Sequence, residues 1–528
     1  MLYGVALRMD RRIVQALRDR LAREVGPGTR VKHAPLAMTL CYPSPYHVAM
    51  SSLGYLQIHR LANQRPGTTC ERAILPEPEL IEAHVRTRTP LLTLESQRPA
   101  ADAHLIGISH AYELELTGIV QLFDLMGLAP LARDRGPADP LVVLGGPITF
   151  SNPLPSAPFA DVVVLGEGEA SLQVLLQYLE ERPEAARGDA AARKALLETL
   201  ADVPGFFVPR MHGERLPPIG QAPDAMLPAV SEIRTPDTEL SDMVLIEPER
   251  GCHRGCTFCV MRRTTNGGMR LVSPETVRDL VPDDTPKVGL VGAAVTDHPR
   301  IKTILSDLVD RRGKRIGVSS LRADRLDEEF VGLLARGGYR SMTVALDAAS
   351  VRLRDSIEKG IKDRHIERAA ALARGEQMRH LKLYVIVNLP GETEADLEEL
   401  VQFGLHLKKT VPVVLGVSPF VPKFHTPLAA APFAGEQAVA KSIKLLQKRL
   451  AHAGVQLRGP GAREAYVEYR LAQGGFQHAE AAIAAARAGG SLADYKRALA
   501  DLPDRVVPAN LSELIPAPTR RRNHPTPA

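Results

Sequence analysis

From Met243 onward the sequence repeats one unit six times: a short apolar run bounded by turn residues, then a helix-forming stretch. The runs fall at 243–248, 287–292, 315–320, 341–347, 382–389 and 413–418. Strands that alternate with helices form parallel sheets, because each return crossover needs a connection of helix length. Six such units predict a partial (βα)6, TIM-like barrel over residues 241–430, with chemistry at the C-terminal strand ends. Earlier runs at Leu105 to Ser109, Leu141 to Leu144 and Val162 to Leu165 keep the same rhythm and predict a separate doubly wound, Rossmann-like α/β domain over 35–181.

The remaining segments read differently. Residues 1–34 hold a charged amphipathic helix near 10–25, and 182–240 reads as a linker with an insertion, Ala-rich near 185–201 and broken by Pro217, Pro218, Pro223 and Pro228. Residues 431–515 have helical spacing, and 516–528 form a polar tail expected to be disordered. With 45% hydrophobic and 24% charged residues the chain can bury sizeable cores. Net charge is only +5, from 66 basic and 61 acidic residues, and Arg520, Arg521 and Arg522 account for much of it, so nucleic acid is not supported as a partner. No run of about 18 apolar residues and no basic-then-apolar leader occurs, so a cytoplasmic protein without membrane association is expected. Only five cysteines are present, three of them within eight residues, which favours thiolate ligation in a reducing compartment over disulfides.

Those three lie in Glu249-Arg250-Gly251-Cys252-His253-Arg254-Gly255-Cys256-Thr257-Phe258-Cys259, at C-x3-C-x2-C spacing just after the first barrel strand. A glycine-containing loop with three thiols can wrap a compact inorganic body. Three thiolates on a four-iron cluster leave one iron open to another ligand. The alternative is zinc, with His253 or a distant side chain as the fourth ligand, although zinc sites usually present paired C-x2-C elements. Phe258 could pack on a cofactor ring or fill core. In the first domain, Gly145-Gly146-Pro147 and Gly166-Glu167-Gly168-Glu169 follow strands, where open α/β sheets bind ligands; the same glycines would also suit tight strand-to-helix turns.

The cysteine loop resembles the radical S-adenosylmethionine (SAM) superfamily signature C-x3-C-x-Φ-C, with Phe258 as Φ. Over residues 241–430, Val417 to Pro427 narrows the likeness to the Elp3/MiaB/NifB-type barrel. The resemblance implies a [4Fe–4S] cluster on Cys252, Cys256 and Cys259, SAM chelated at the open iron, reductive cleavage to an adenosyl radical, and an electron donor such as flavodoxin or ferredoxin. It also implies cofactor contacts from Phe258, Gly292, Ser320, Arg322, Asp347 and Asn388. Two departures stand out: Val291-Gly292-Ala293-Ala294-Val295-Thr296-Asp297 lacks the family motif's usual acidic end, and Asp347 stands where related chains carry Glu. For Arg322 and Asp347 the plainer alternative is a structural ion pair at the barrel mouth.

Residues 35–180 resemble the cobalamin-binding (B12-binding) domain that precedes the barrel in one branch of the superfamily, in Tyr46 to Gly54, Gly145-Gly146-Pro147 and Gly166-Glu167-Gly168-Glu169. Gly145, Gly146, Gly166 and Glu167 are the candidate contacts, and cobalamin is a candidate cofactor. The string Asp102-Ala103-His104-Leu105-Ile106-Gly107 spells the D-x-H-x-x-G that supplies a cobalt ligand elsewhere, but Leu105 to Ser109 reads as a strand rather than the required loop, so His104 is not expected to bind cobalt. The resulting expectation is a radical enzyme transferring a methyl group or doing related chemistry on an unidentified substrate. Two alternatives stand beside it. A methylthiotransferase acting on RNA would need three more cysteines where only Cys41 and Cys70 remain, and a non-catalytic sensor would bind the cofactors without turnover.

Overall fold

The computed structural model describes residues 9–27, 31–261, 268–319 and 321–505; Ser320 and the tail 516–528 lie outside the described residues. The first sheet has six strands, β1 (Leu36–Tyr42), β2 (Thr68–Ile74), β3 (Leu105–Ser109), β4 (Leu141–Gly145), β5 (Val162–Val164) and β6 (Phe206–Phe207), in the order β2-β1-β3-β4-β5-β6. β1 to β5 are parallel, and β6 closes the edge antiparallel. All seven residues of β1 are buried, as a sheet covered on both faces requires. Met38 and Leu40 pack with Leu56 of the helix Leu53–Gln64 and with Leu172 and Leu176 of the helix Gly168–Glu181. Strand order reverses between β1 and β3, which puts the topological switch point beyond Tyr42 and Ser109 at the C-terminal edge.

Further strands are β7 (Met243–Ile246), β8 (Glu249–Gly251), β9 (Met269–Leu271), β10 (Lys287–Leu290), β11 (Arg315–Val318), β12 (Met342–Ala345), β13 (Leu381–Val387), β14 (Val413–Pro419) and β15 (Gln456–Arg458). β7, β10, β11, β12, β13 and β14 fall on the six apolar runs of the sequence, with helices between them, so the fold is α/β with parallel sheets. β7 pairs with β10, and β12 to β15 form a four-stranded parallel sheet. By packing, the chain divides into two compact units. One takes the chain to Pro248, Val272–Val291 and the segment from Gly474; the other takes Glu249–Leu271 and Gly292–Gln473.

Three segments depart from the sequence reading. Residues 182–240 are more than a linker: the helix Ala190–Ala201 and β6 extend the first unit, and Gly220 bridges Gly166 in parallel. The region 431–515 is not purely helical, because β15 adds to β14. Its last part also packs into the first unit, where Asn152 donates to the Gly474 carbonyl (2.8 Å), Tyr495 and Thr117 share a hydroxyl hydrogen bond (2.9 Å) and Arg487 pairs with Asp124 (2.8 Å). Third, β8 and β9 form an antiparallel ribbon whose register, Glu249 opposite Leu271 and Gly251 opposite Met269, closes the cysteine loop at its base. Among the described residues no helix is long and apolar enough to cross a membrane.

Candidate functional site

The three cysteines follow β8 directly. Cys256 is buried and Cys252 and Cys259 are half-buried. The loop is held from within and from outside: Cys259 N–H donates to the Cys256 carbonyl (3.2 Å), Arg254 N–H reaches Cys252 Sγ (3.4 Å), and Thr257 N–H donates to the distant Ile357 carbonyl (3.1 Å). Burial pushes all three thiols above their ordinary values, Cys259 to about 11, so a metal body bound here must displace their protons. Among the described residues no three His, Cys, Asp or Glu side chains gather tightly enough for a single ion. His253, the zinc alternative's fourth ligand, instead places Nε2 3.9 Å from Asp297 Oδ2. A three-thiol loop closed by a ribbon is a donor set that fits an iron–sulfur cluster.

Asp297 organises the neighbourhood of this loop. Its carboxylate, with no solvent exposure, accepts from Arg254 Nε (2.8 Å) and Nη2 (2.6 Å) and from Arg325 Nε (3.0 Å), with Arg322 Nε 3.9 Å away. Burial alone would raise its pKa, but the hydrogen bonds and charge of Arg254 and the charge of Arg322 outweigh it and hold the carboxyl below its ordinary value. Sequence reasoning gave Asp297 no role, because nothing in the string shows that Arg254 reaches it.

The glycine motif is held in a similar way. Gly292 approaches Glu249 so closely that a Cβ there would lie 2.2 Å from Glu249 Oε1, which itself accepts from Ala294 N–H (2.7 Å). A carboxylate from β8 thus holds the Gly292-to-Ala294 backbone. Ser319, next to Ser320, both accepts from Gly292 N–H (3.0 Å) and donates to its carbonyl (2.9 Å).

The other candidates separate. Arg322 is buried and bonds Asp324 (3.0 Å) and the Lys359 carbonyl (3.2 Å), while Asp347, at φ 63, pairs with Lys359. The two therefore do not pair with each other; Lys359 links them. Asn388, also left-handed at φ 60, donates to Ser442 Oγ (2.9 Å) on the helix Glu436–Ala451 and so ties β13 to that helix. Phe258 is half-buried on the loop. Glu392, four residues beyond Asn388, accepts from its N–H (2.7 Å), and burial pushes its carboxyl up to about 7.

In the first unit, Gly145 ends β4 and accepts from His110 N–H (2.8 Å). Gly146, at φ 113, passes so near the His110 backbone that a Cβ would sit 2.7 Å from its carbonyl oxygen. Gly166, at φ 85, meets Gly220, and Glu167 is buried with Oε2 accepting from Ala222 N–H (2.7 Å). These two are built into the backbone of the sheet edge, as the tight-turn alternative described. His104 lies at the opposite edge: β3 begins at Leu105, and His104 Nδ1 accepts from Ala37 N–H (3.0 Å). At the switch point itself stands His110, 1% exposed, with Nε2 against the Tyr112 carbonyl (2.8 Å) and Nδ1 without a hydrogen-bond partner.

Comparison with known proteins adds the family. Residues 54–209 match "Radical SAM proteins, N-terminal" and residues 246–404 match "Radical SAM superfamily". An uncharacterized protein of Methanocaldococcus jannaschii is 30% identical over 346 residues, 63% of this chain and 71% of that protein. A 2-(S-pantetheinyl)-carbapenam-3-carboxylate methyltransferase of Streptantibioticus cattleyicolor is 29% identical over 161 residues, only 29% of this chain and 22% of the enzyme. The solved structure of the cobalamin-dependent SAM radical enzyme OxsB with aqua-cobalamin aligns at 15% identity and TM-score 0.46, covering 72% of this chain and 53% of that one, too remote to assign a ligand. The two family matches, the M. jannaschii relative and the cysteine loop agree: this chain belongs to the radical SAM superfamily.

Proposed function

We propose that this protein is a cobalamin-associated radical SAM enzyme that transfers a methyl group to an unactivated carbon. The single observation that carries the radical part is the loop of Cys252, Cys256 and Cys259, closed by its own ribbon and pinned through Arg254 to Asp297. A [4Fe–4S] cluster held there would supply one electron to the sulfonium of SAM. The chain's own residues would hold and orient. The cysteines give up protons to become ligands, Asp297 fixes the loop, and Glu249 sets the Gly292-to-Ala294 backbone beside it. A flavodoxin or ferredoxin would deliver the electron.

The cobalamin part rests on less: the flavodoxin-like strand order, the switch point beyond Tyr42 and Ser109, and the buried His110 there. The partial likeness to a methyltransferase agrees with it. Methylthiotransferase chemistry is disfavoured by the remaining cysteines. Cys41 and Cys70 lie inside β1 and β2, both buried, with burial pushing the Cys41 thiol up to about 12.

The test is anaerobic purification from cells supplied with cobalamin, cluster reconstitution, and iron, sulfide, zinc and cobalt analysis with a visible spectrum. About four irons and one cobalt per chain are expected. Iron without cobalt would remove the cobalamin reading and leave the radical one, and zinc without iron would overturn both. SAM left uncleaved by the reduced, cluster-replete protein would favour the sensor.

A further inference from the structure

The sheet β12 to β15 has two unlike faces. Along β13, Leu381, Leu383, Val385 and Val387 are almost wholly buried, whereas Lys382, Tyr384 and Ile386 point the other way and Tyr384 remains 45% exposed. That is unusual in mid-strand of an inner parallel strand, where both faces are normally covered. Register places Tyr384 opposite Ala345 and Gly416, and Gly416 opposite Arg458 on β15. One row on this face therefore runs Ala345, Tyr384, Gly416, Arg458, and the row below it runs Thr343, Lys382, Val414, Gln456.

The aromatic ring is fitted into this row. A Cβ on Gly416 would come within 2.8 Å of Tyr384 Cδ1, so the ring lies across β14 toward β15, in space that only glycine leaves. Lys382 Nζ stands 4.6 Å from the ring centroid and 3.2 Å from the Tyr384 hydroxyl. Arg458 donates to Gln456 Oε1 (3.2 Å). Among the described residues neither cation has a carboxylate partner. The three charges that act on nearby His380, after burial itself, are those of Arg458, Lys382 and Arg379, all positive. Two cations on the same sheet face, both acting on His380 and both without a carboxylate, flanking a half-exposed aromatic ring, make a site short of one negative charge.

We infer that Lys382, Tyr384 and Arg458 form the anchoring site for an organic anion, with a carboxylate or phosphate held by the two cations and its carbon skeleton resting on Tyr384. Resting on the function proposed above, the ligand is the substrate. Lys382 lies six residues before Asn388, roughly 20 Å along the strand direction, so a molecule that also reaches the C-terminal strand ends must be long.

Pyridoxal 5′-phosphate tests the site directly. Its aldehyde condenses with a lysine amine, releasing water, and borohydride reduces the imine to a stable secondary amine that peptide mapping locates. Pyridoxal has the same aldehyde without the phosphate. In the full chain, Lys382 is expected to be labelled about tenfold more by the phosphorylated reagent than by pyridoxal, while the exposed Lys444 and Lys448 show little preference. Arg458→Met should bring the Lys382 preference down to that of Lys444. A Lys382 ratio equal to that of Lys444 in the unaltered chain, or one indifferent to Arg458→Met, would overturn the proposal. Labelling needs neither cluster nor SAM, so its failure leaves the radical assignment standing, and failure to load iron leaves the labelling result standing.

Discussion

Asp297 grips Arg254 through two hydrogen bonds, 2.8 and 2.6 Å, and Arg254 sits between the first two cysteines of the C-x3-C-x2-C loop. The shape of the loop is thus set partly from outside it, by the buried carboxylate that precedes His298. Asp297→Asn should lower stability by about 3 kcal/mol, because it takes from the partly buried Arg254 its nearest carboxylate and leaves only Asp324, 3.6 Å away. It should also reduce iron retained after reconstitution. Urea unfolding and iron analysis check the two effects separately, and unchanged iron content would deny Asp297 its hold on the loop. Since the folded-state pKa of Asp297 is lowered, this stabilisation is present above the unfolded-state pKa and is lost as pH falls through the folded one.

Cys256→Ala removes one of the three proposed cluster ligands. Bound iron and sulfide should fall to near zero and SAM cleavage should disappear with them. Electron paramagnetic resonance of the reduced protein gives the readout, and an intact four-iron signal would place the cluster elsewhere.

Glu392 offers a pH-dependent prediction. Its carboxyl titrates near 7 in the fold against an ordinary 4.5, because burial opposes its charge. The folded state therefore keeps a proton that the unfolded chain has already lost, and stability falls as pH rises from about 4.5 to about 7, by up to about 3 kcal/mol. Glu392→Gln abolishes that loss. The variant should melt higher than the parent at pH 8 and alike at pH 4, and an equal difference at both would show that ionisation is not the cause.

The switch-point edge of the first sheet is tested by Gly146→Ala. A Cβ at φ 113, 2.7 Å from the His110 carbonyl oxygen, combines backbone strain with overpacking, about 2–4 kcal/mol together. Denaturant midpoints would register it, and a neutral substitution would mean that His110 moves aside freely.

Much of this architecture was legible beforehand, for identifiable reasons. β7, β10 and β13 announce themselves as apolar runs because their strands are buried on at least one face, and the strand read at Leu105 to Ser109 is present, with His104 just before it. β8, β9 and β15 did not, since three-residue strands such as Gln456-Leu457-Arg458 carry no periodicity to detect. Cys252, Cys256 and Cys259 were singled out by spacing, and the structure sets them on one loop directly after β8. Glu249, Asp297 and Lys359 were not: each acts on a residue from 12 to 45 positions away in sequence, through contacts that exist only after folding. Asn388 was read as a cofactor contact from its motif, and its hydrogen bond to Ser442 comes from a helix whose approach no local pattern records.

The return of the chain from Gly474 into its first unit has a consequence for biosynthesis. Thr117, Asp124 and Asn152 leave the ribosome more than 300 residues before their partners Tyr495, Arg487 and Gly474. During that interval the helix Leu116–Met126 lacks its late-arriving cover, which comes only once residues 474–495 have emerged. A chain released between residues 259 and 474 would carry every cysteine and still leave its first domain without these contacts.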